Sequence, residues 1–426
     1  MSPLPWALLP DSSTAGGDGH LHIAGVDTVE LAAHYGTPLF VYDVAHLRAR
    51  CREAVAAFPG GVHYAAKAFL CGAMAQLVAG EGLGFDVASG GELDLVLRAG
   101  ADPATIVLHG NNKSTAELAA ALDAGVGRIV VDSDDEIDRL AALVAAGAPR
   151  PDVLIRVTPG VEAHTHEYTA TGQEDSKFGF GLRSGAAAAA VERLGAAGSP
   201  ARLVGLHVHI GSQVFVADSF ARAVDALAPF VRECDLAELC VGGGMGVAYV
   251  EGECSEGITA WGARVHEAVR AAGIEARVTA EPGRAIAAAA AVTLYTVGTV
   301  KAIPEVRTYV AVDGGMIDNP RPALYGSGYE TFLARSVTAD RPRLVRVVGK
   351  HCESGDVLVR EAAVPHDITV GDIVATPVTG AYGWSMGSNY NRLGRPAVVF
   401  VEDGQAELVV RRETIDDLLA TDLRLS

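Results

Sequence analysis

Two hydrophobic patterns divide the chain. Between residues 60 and 285, short continuous apolar runs alternate with stretches of helical spacing, whereas beyond about 285 apolar and polar residues alternate one by one. The first region holds eight runs of strand type: GVHYAAKA, LGFDVAS, TIVLHGNN, RIVVDS, DVLIRVTPG, RLVGLHVHIGSQ, AELCVGGGMG and ARVTAEPGR. Strands that are apolar on both faces and separated by helices form parallel sheets covered on both sides. The intervening helices carry end signals. STAELAAALDAG opens with Ser114 and Glu117 as a capping box and stops at Gly125, and SDDEIDRLAALVAAG repeats the arrangement with Ser133, Glu136 and Gly147. Eight such units are the number that closes a (β/α)8 barrel.

The second region, with RLVRVVG, DVLVREA, GDIVATPV and PAVVFVEDGQAELVVRR, has a period of two and a hairpin signal at Asp403-Gly404. It predicts an antiparallel β domain over 300–426, beside a barrel over 47–299. The strand-rich segment 20–43 comes before the barrel, so residues 1–46 are expected to join the β domain and make it discontinuous in sequence. The first nineteen residues or so are expected to be loose.

Polar residues collect at or just past the C-terminal ends of the barrel runs: Lys67, Asp86, Ser89, His109, Asn111, Asp132, Arg156, His209, Gly242 to Gly244 and Glu281. That rim is where barrels of this kind carry their chemistry. Lys67 is the one charge in GVHYAAKAFLCGA, and an ammonium buried there must be paired or have given up its proton. Three glycines in VGGGMG let backbone N–H groups approach a phosphate, and Arg284 in EPGR follows the eighth run. Loops after the seventh and eighth strands are the usual phosphate site of such barrels. A phosphate anchor, a lysine on the first strand and an acid on the eighth point to pyridoxal 5'-phosphate. Lys67 would condense with its aldehyde, Glu281 would keep its ring nitrogen protonated, and His209 could stack on its face.

Composition narrows the alternatives. The chain has 426 residues, 49% of them hydrophobic, and a net charge of −18 with no basic cluster, which argues against nucleic acid as a partner. No apolar run is long enough to span a bilayer and the start lacks a secretory pattern, so a cytoplasmic protein is expected. Six scattered cysteines form no CxxC pair and read as reduced thiols. His207 and His209, like His164 and His166, sit two apart as in metal-dependent hydrolases, but no third ligand or base accompanies them, and no metal is expected. Cys352 in GKHCESGD, beside His351 and two acids, is either a positioned proton donor or a small apolar group.

From about residue 20 onward the chain resembles the fold-type III pyridoxal-phosphate decarboxylases, whose fold is alanine-racemase-like, and among them the diaminopimelate decarboxylases. The resemblance is carried by YAAKAF, GFDVASGGEL, TGQEDSKFGF, HVHIGSQ, GGGMG, EPGR, DNPRPALYGS, HCESGD and GAYGWSMGSNYN, in this order. It implies that Lys67 carries the cofactor and that His209 stacks on it. Asp86, Ser212, Gly242, Gly243, Gly244, Gly283, Arg284 and Tyr382 would be cofactor contacts, with Glu281 on the ring nitrogen. It makes Cys352 the general acid, reaching a neighbouring subunit's site, and so implies a homodimer with shared active sites. Arg284, Arg321 and Tyr325 would hold substrate carboxylates, Glu353 the distal amine, and Tyr382 phosphate and substrate. The implied reaction takes meso-2,6-diaminopimelate to L-lysine and CO2, the last step of lysine biosynthesis. Another amino acid or a carboxy-polyamine is the alternative substrate, and a non-catalytic relative the alternative role. Met245, Ile317 and Phe69 of KAF depart from the commonest family residues without touching a proposed catalytic role.

Overall fold

The computed structural model describes residues 4–160, 175–423 and 425. They form two compact units, one of Arg50–Val247 with Cys254–Ala285, the other of Met1–Ala49, Ala248–Glu253 and Ile286–Ser426.

The first unit is the barrel. Its eight main strands are His63–Ala65, Gly84–Val87, Ile106–Leu108, Arg128–Val131, Asp152–Thr158, Arg202–His207, Glu238–Cys240 and Arg277–Thr279. Each pairs in parallel with its neighbours in chain order. A parallel bridge between Val62 and Ala280 joins the first strand to the last, supported by the His63 N–H donating to the Ala280 carbonyl at 2.9 Å. The short strand Phe180–Gly181 adds to the fifth. All eight runs read from the sequence therefore become strands. Valine, leucine and isoleucine fill them, and Val107, Val130, Leu154 and Cys240 pack together in the core.

The helix signals act as expected at one site and differently at the other. Ser114 and Glu117 close a reciprocal capping box at the start of Thr115–Ala124, and Gly125 ends that helix at φ 76°. Ser133 caps Asp134–Ala145, but no box forms there. The Glu136 carboxylate turns inward instead, accepting from the Asp132 N–H at 3.2 Å and meeting Lys113 Nζ at 2.8 Å, with both side chains buried.

The second unit is built on one mostly antiparallel sheet. Its order is Val357–Val364, Arg343–Val348, Arg307–Val312, Ala291–Ile303, Leu39–Asp43, Ala397–Glu402 and Gln405–Val410, with Ile373–Pro377 also on Ala291–Ile303. Two pairings are parallel: Arg307–Val312 with Arg343–Val348, and Leu39–Asp43 with Ala397–Glu402. The hairpin at Asp403-Gly404 forms, with φ 49° and 76° at its two central residues. Leu39–Asp43 runs through the middle of the sheet, so the N-terminal segment is part of this domain's core. The division read at 299/300 falls inside the 13-residue strand Ala291–Ile303. That strand is apolar in its first half, like a barrel strand, which is why its sheet was not legible locally.

The expectation of a loose N-terminus is wrong for the described residues. Leu4 and Leu9 are buried in one core cluster with Leu21, Ile23, Val41 and Val399. Ser12 Oγ donates to Asp43 Oδ2 at 2.6 Å. Apolar side chains spaced along a Pro-rich segment gave no periodic signal, yet they bury against the sheet. No helix among the described residues is long and apolar enough to cross a membrane.

Candidate active site

Within the barrel unit the rim residues converge. Lys67 lies in a 3-10 turn, Ala66–Ala68, directly after the first strand. Its neighbours Ala65, Ala66, Ala68 and Phe69 are buried, but its own side chain is 49% exposed. The sequence expectation of a buried ammonium is thus corrected: the apolar neighbours anchor the backbone, and the amine projects from it. Nζ lies 3.5 Å from Asp86 Oδ2. Asp86 is the last residue but one of the next strand and is itself buried, with Oδ1 lacking a hydrogen-bond partner among the described residues.

Asp86 Oδ1 is 3.7 Å from His109 Nε2, which in turn sits 2.8 Å from Glu281 Oε1. The other Glu281 oxygen, Oε2, is 2.9 Å from His207 Nε2. Burial alone would raise the Glu281 carboxyl, but the charges and hydrogen bonds of the two histidines outweigh it and hold it well below the usual carboxylate range. Burial opposes a proton on His109, yet Asp86 and Glu281 pull it above the ordinary histidine value. Burial lowers His207.

His209 follows the sixth strand. Its Nδ1 accepts from the Gly243 N–H at 3.2 Å, which places the ring proton on Nε2. Burial, then the nearby charges of Lys67 and Arg156, drive it well below the ordinary value, so the ring is neutral. His207 and His209 therefore do different work and are not a ligand pair. His109, His207 and Glu281 do lie within 4.8 Å of one another, and hydrogen bonds join them. His164 and His166 lie outside the described residues, as do residues 171–174 of TGQEDSKFGF.

The glycine turn after the seventh strand is pressed against its neighbours. A Cβ on Gly243 would stand 2.1 Å from the Glu281 carbonyl oxygen, and one on Gly244, at φ 116°, 2.1 Å from that of Gly211. A Cβ on Gly283 would be less crowded, 2.9 Å from Ala65 Cβ and 3.1 Å from Ala68 Cβ. Arg284 is buried and its Nη2 donates to Ser212 Oγ at 2.8 Å. These donors and this side-chain-free cradle suit a phosphate, and the lysine and buried acid suit an aromatic aldehyde with a ring nitrogen. Two rim residues have other duties. Ser89 caps the helix Gly90–Arg98, and Asn111 is exposed in a turn.

The remaining candidates belong to the other unit. Arg321 is buried, donates from Nε to Tyr329 Oη at 3.1 Å and from Nη2 to Ser327 Oγ at 3.1 Å, and lies 4.7 Å over the Tyr249 ring and 5.7 Å over that of Tyr325. Burial works against its charge, but Tyr249 and Tyr329 hold it above its usual range. It forms no ion pair with a carboxylate among the described residues. Tyr382 adopts φ 61°. Cys352 is exposed, unlike the buried Cys51, Cys71 and Cys240, and next to it Glu353 accepts from Tyr390 Oη at 2.6 Å. The loop is tied down by Asp356, which accepts from the His351 N–H at 3.0 Å and the Met316 N–H at 2.8 Å.

Sequence reasoning gave no role to His109 and read His207 only as a possible metal ligand. The signal available was the spacing of HVH, which could not say which acid each ring meets.

The barrel, its lysine and its glycine cradle define a class. The profile of the family described as "Pyridoxal-dependent decarboxylase, pyridoxal binding domain" matches residues 44–288, so this is a pyridoxal-dependent carboxy-lyase fold with pyridoxal phosphate as its cofactor. Diaminopimelate decarboxylase of Mycobacterium tuberculosis is 48% identical over 445 residues, covering 100% of this chain and 99% of its own. That of Bacillus subtilis is 46% identical over 421 residues, covering 95% of each. The crystal structure of diaminopimelate decarboxylase from M. jannaschii in complex with L-lysine superposes with a TM-score of 0.91 at 30% identity, covering 97% of this chain and 98% of its own. The chain belongs to the diaminopimelate decarboxylase family.

Proposed function

We propose that this chain decarboxylates meso-2,6-diaminopimelate at its D-centre, releasing CO2 and L-lysine. The observation that carries the reading is similarity to diaminopimelate decarboxylases running the length of the chain and through both units. Arg321 supports the choice of substrate. A buried guanidinium held by hydroxyls and facing aromatic rings, with no carboxylate partner among the described residues, suits a carboxylate brought in by substrate. A substrate whose far end is a bare amine would leave that charge uncompensated.

Bound in the barrel, pyridoxal phosphate supplies a ring that accepts the electron pair left as CO2 departs. The protein's part is to hold that ring and to manage protons. Lys67 would tether the cofactor through its amine. Ser212, Gly242, Gly244, Gly283 and Arg284, with Tyr382, would contact the cofactor and its phosphate, Gly243 would complete the cradle while its N–H holds His209, and Asp86 flanks the lysine. Neutral His209 offers a flat face without competing for charge. Glu281, kept ionised by its histidines, accepts from the protonated ring nitrogen. Arg284, Arg321 and Tyr325 hold carboxylates and Glu353 the distal amine. Cys352 Sγ delivers a proton to the carbon that lost its carboxylate. Cys352 would act in the site of a second copy, which makes the enzyme a homodimer; its place is the cytoplasm and its product feeds lysine biosynthesis.

The test is CO2 release from the purified, cofactor-loaded protein offered meso-diaminopimelate, ornithine, arginine and carboxynorspermidine in turn. Release is expected from the first alone. Preference for any other member of the panel moves the chain to that substrate.

A further inference from the structure

We propose that His109 is a positively charged positioning residue, held between Asp86 and Glu281, that fixes Glu281 as an anion while His207 clamps the second oxygen as a neutral ring. The inference deepens the reading above, since the use of the Glu281 charge depends on a cofactor nitrogen facing it. The charge on His109 itself does not.

The two rings differ in where a second proton could go. His207 Nε2 donates to Glu281 Oε2, and its Nδ1 is buried with no partner among the described residues. A proton there would be a buried, unsatisfied N–H on a cation, costlier than a bare lone pair. His109 differs, because its Nε2 faces two carboxylates, Glu281 Oε1 at 2.8 Å and Asp86 Oδ1 at 3.7 Å. All of these side chains are buried. Two buried carboxylates this close would repel and one would protonate unless a cation stood between them. His109 is that cation.

Other charged groups act on His109 as well. Lys67 pushes against its proton, and His63, Glu92 and His207 lie within electrostatic reach. The two acids outweigh them because they are nearest and share its burial. The result is an alternating row, Lys67, Asp86, His109, Glu281, running from the amine that meets the cofactor's aldehyde to the acid that meets its ring. Both ends of the cofactor site thus share one buried counter-charge.

Nitrogen NMR of the cofactor-free protein carrying 15N-labelled histidine reads the protonation directly, with His109→Gln assigning the signal. Both ring nitrogens of His109 are expected to stay protonated near neutral pH, and Nδ1 of His207 to be bare. A neutral His109 overturns the proposal. In a second arm, His109→Gln, His109→Phe and His207→Gln are loaded with pyridoxal phosphate. Cofactor affinity and the pH at which its visible absorbance titrates are then measured. Both His109 variants should weaken affinity roughly tenfold to hundredfold, the range seen when a group orienting a ligand-binding residue is lost, and move the spectral titration. His207→Gln should do less. Wild-type affinity and titration in His109→Gln would mean that a neutral donor suffices, and would overturn the positioning role of the charge. Failure of the wild-type protein to take up the cofactor would instead sink the functional reading, and the NMR arm would still decide the state of His109.

Discussion

A single residue shows how environment overrides residue type. Asp318 looks in sequence like one of 52 acids. In the fold it is fully buried, and burial pushes its carboxyl up to about 7 despite hydrogen bonds from Tyr295 Oη at 2.8 Å and the Gly315 N–H, with Asp313 and Asp356 adding repulsion. Its folded value lies above the ordinary 3.8, so the folded state binds the extra proton between those limits. The stability this contributes is complete below about pH 4 and lost as pH rises through 7. Asp318→Asn should therefore shrink the difference in unfolding free energy between pH 5 and pH 8 by on the order of 2–3 kcal/mol. Chemical denaturation at the two pH values checks it, and an unchanged difference would refute the shift. Lys67 carries the opposite lesson. Its surroundings in sequence are apolar, yet its amine is half exposed, because a turn after the strand lifts it clear.

At the scale of elements, the glycine turn after the seventh strand and the eighth strand must be read together. Gly243 is packed on the carbonyl of Glu281, so the turn that would hold phosphate also backs the acid that would meet the ring. Gly243→Ala forces a Cβ to within 2.1 Å of that oxygen, and overpacking of this kind costs about 1–3 kcal/mol. The expected outcome is pyridoxal phosphate bound roughly tenfold or more weakly, read by equilibrium dialysis. Gly355, whose Cβ would meet nothing, is the control, with affinity unchanged in Gly355→Ala. Capping signals show a similar limit. Ser114 and Ser133 begin the same local phrase, and only the first closes a box, because Glu136 has a buried lysine to neutralise.

For the whole molecule, the number of copies that build one site can be read from complementation. If Lys67 and Cys352 of different copies serve one site, Lys67→Ala and Cys352→Ala are each nearly inactive alone. Unfolding and refolding them together in equal amounts should restore about a quarter of wild-type activity, since half the dimers are mixed and each mixed dimer has one intact site. No recovery, with dimers shown by sedimentation, would place both residues in the same copy's site.

Much of this protein was legible locally. Eight apolar runs alternating with capped helices specify a closed parallel barrel because strand burial and helix ends are properties of a few neighbouring residues. The reactive groups fell at strand ends for the same reason. Distance along the chain decided what could not be read. Glu281 meets His109 across 172 residues and His207 across 74, so only closure of the barrel could reveal that the acid is held by two rings. The parallel pairings of the second sheet, the burial of Leu4 and Leu9, and the placing of Arg321 over the Tyr249 ring were likewise fixed by tertiary packing, since each depends on which distant backbone or side chain arrives beside it.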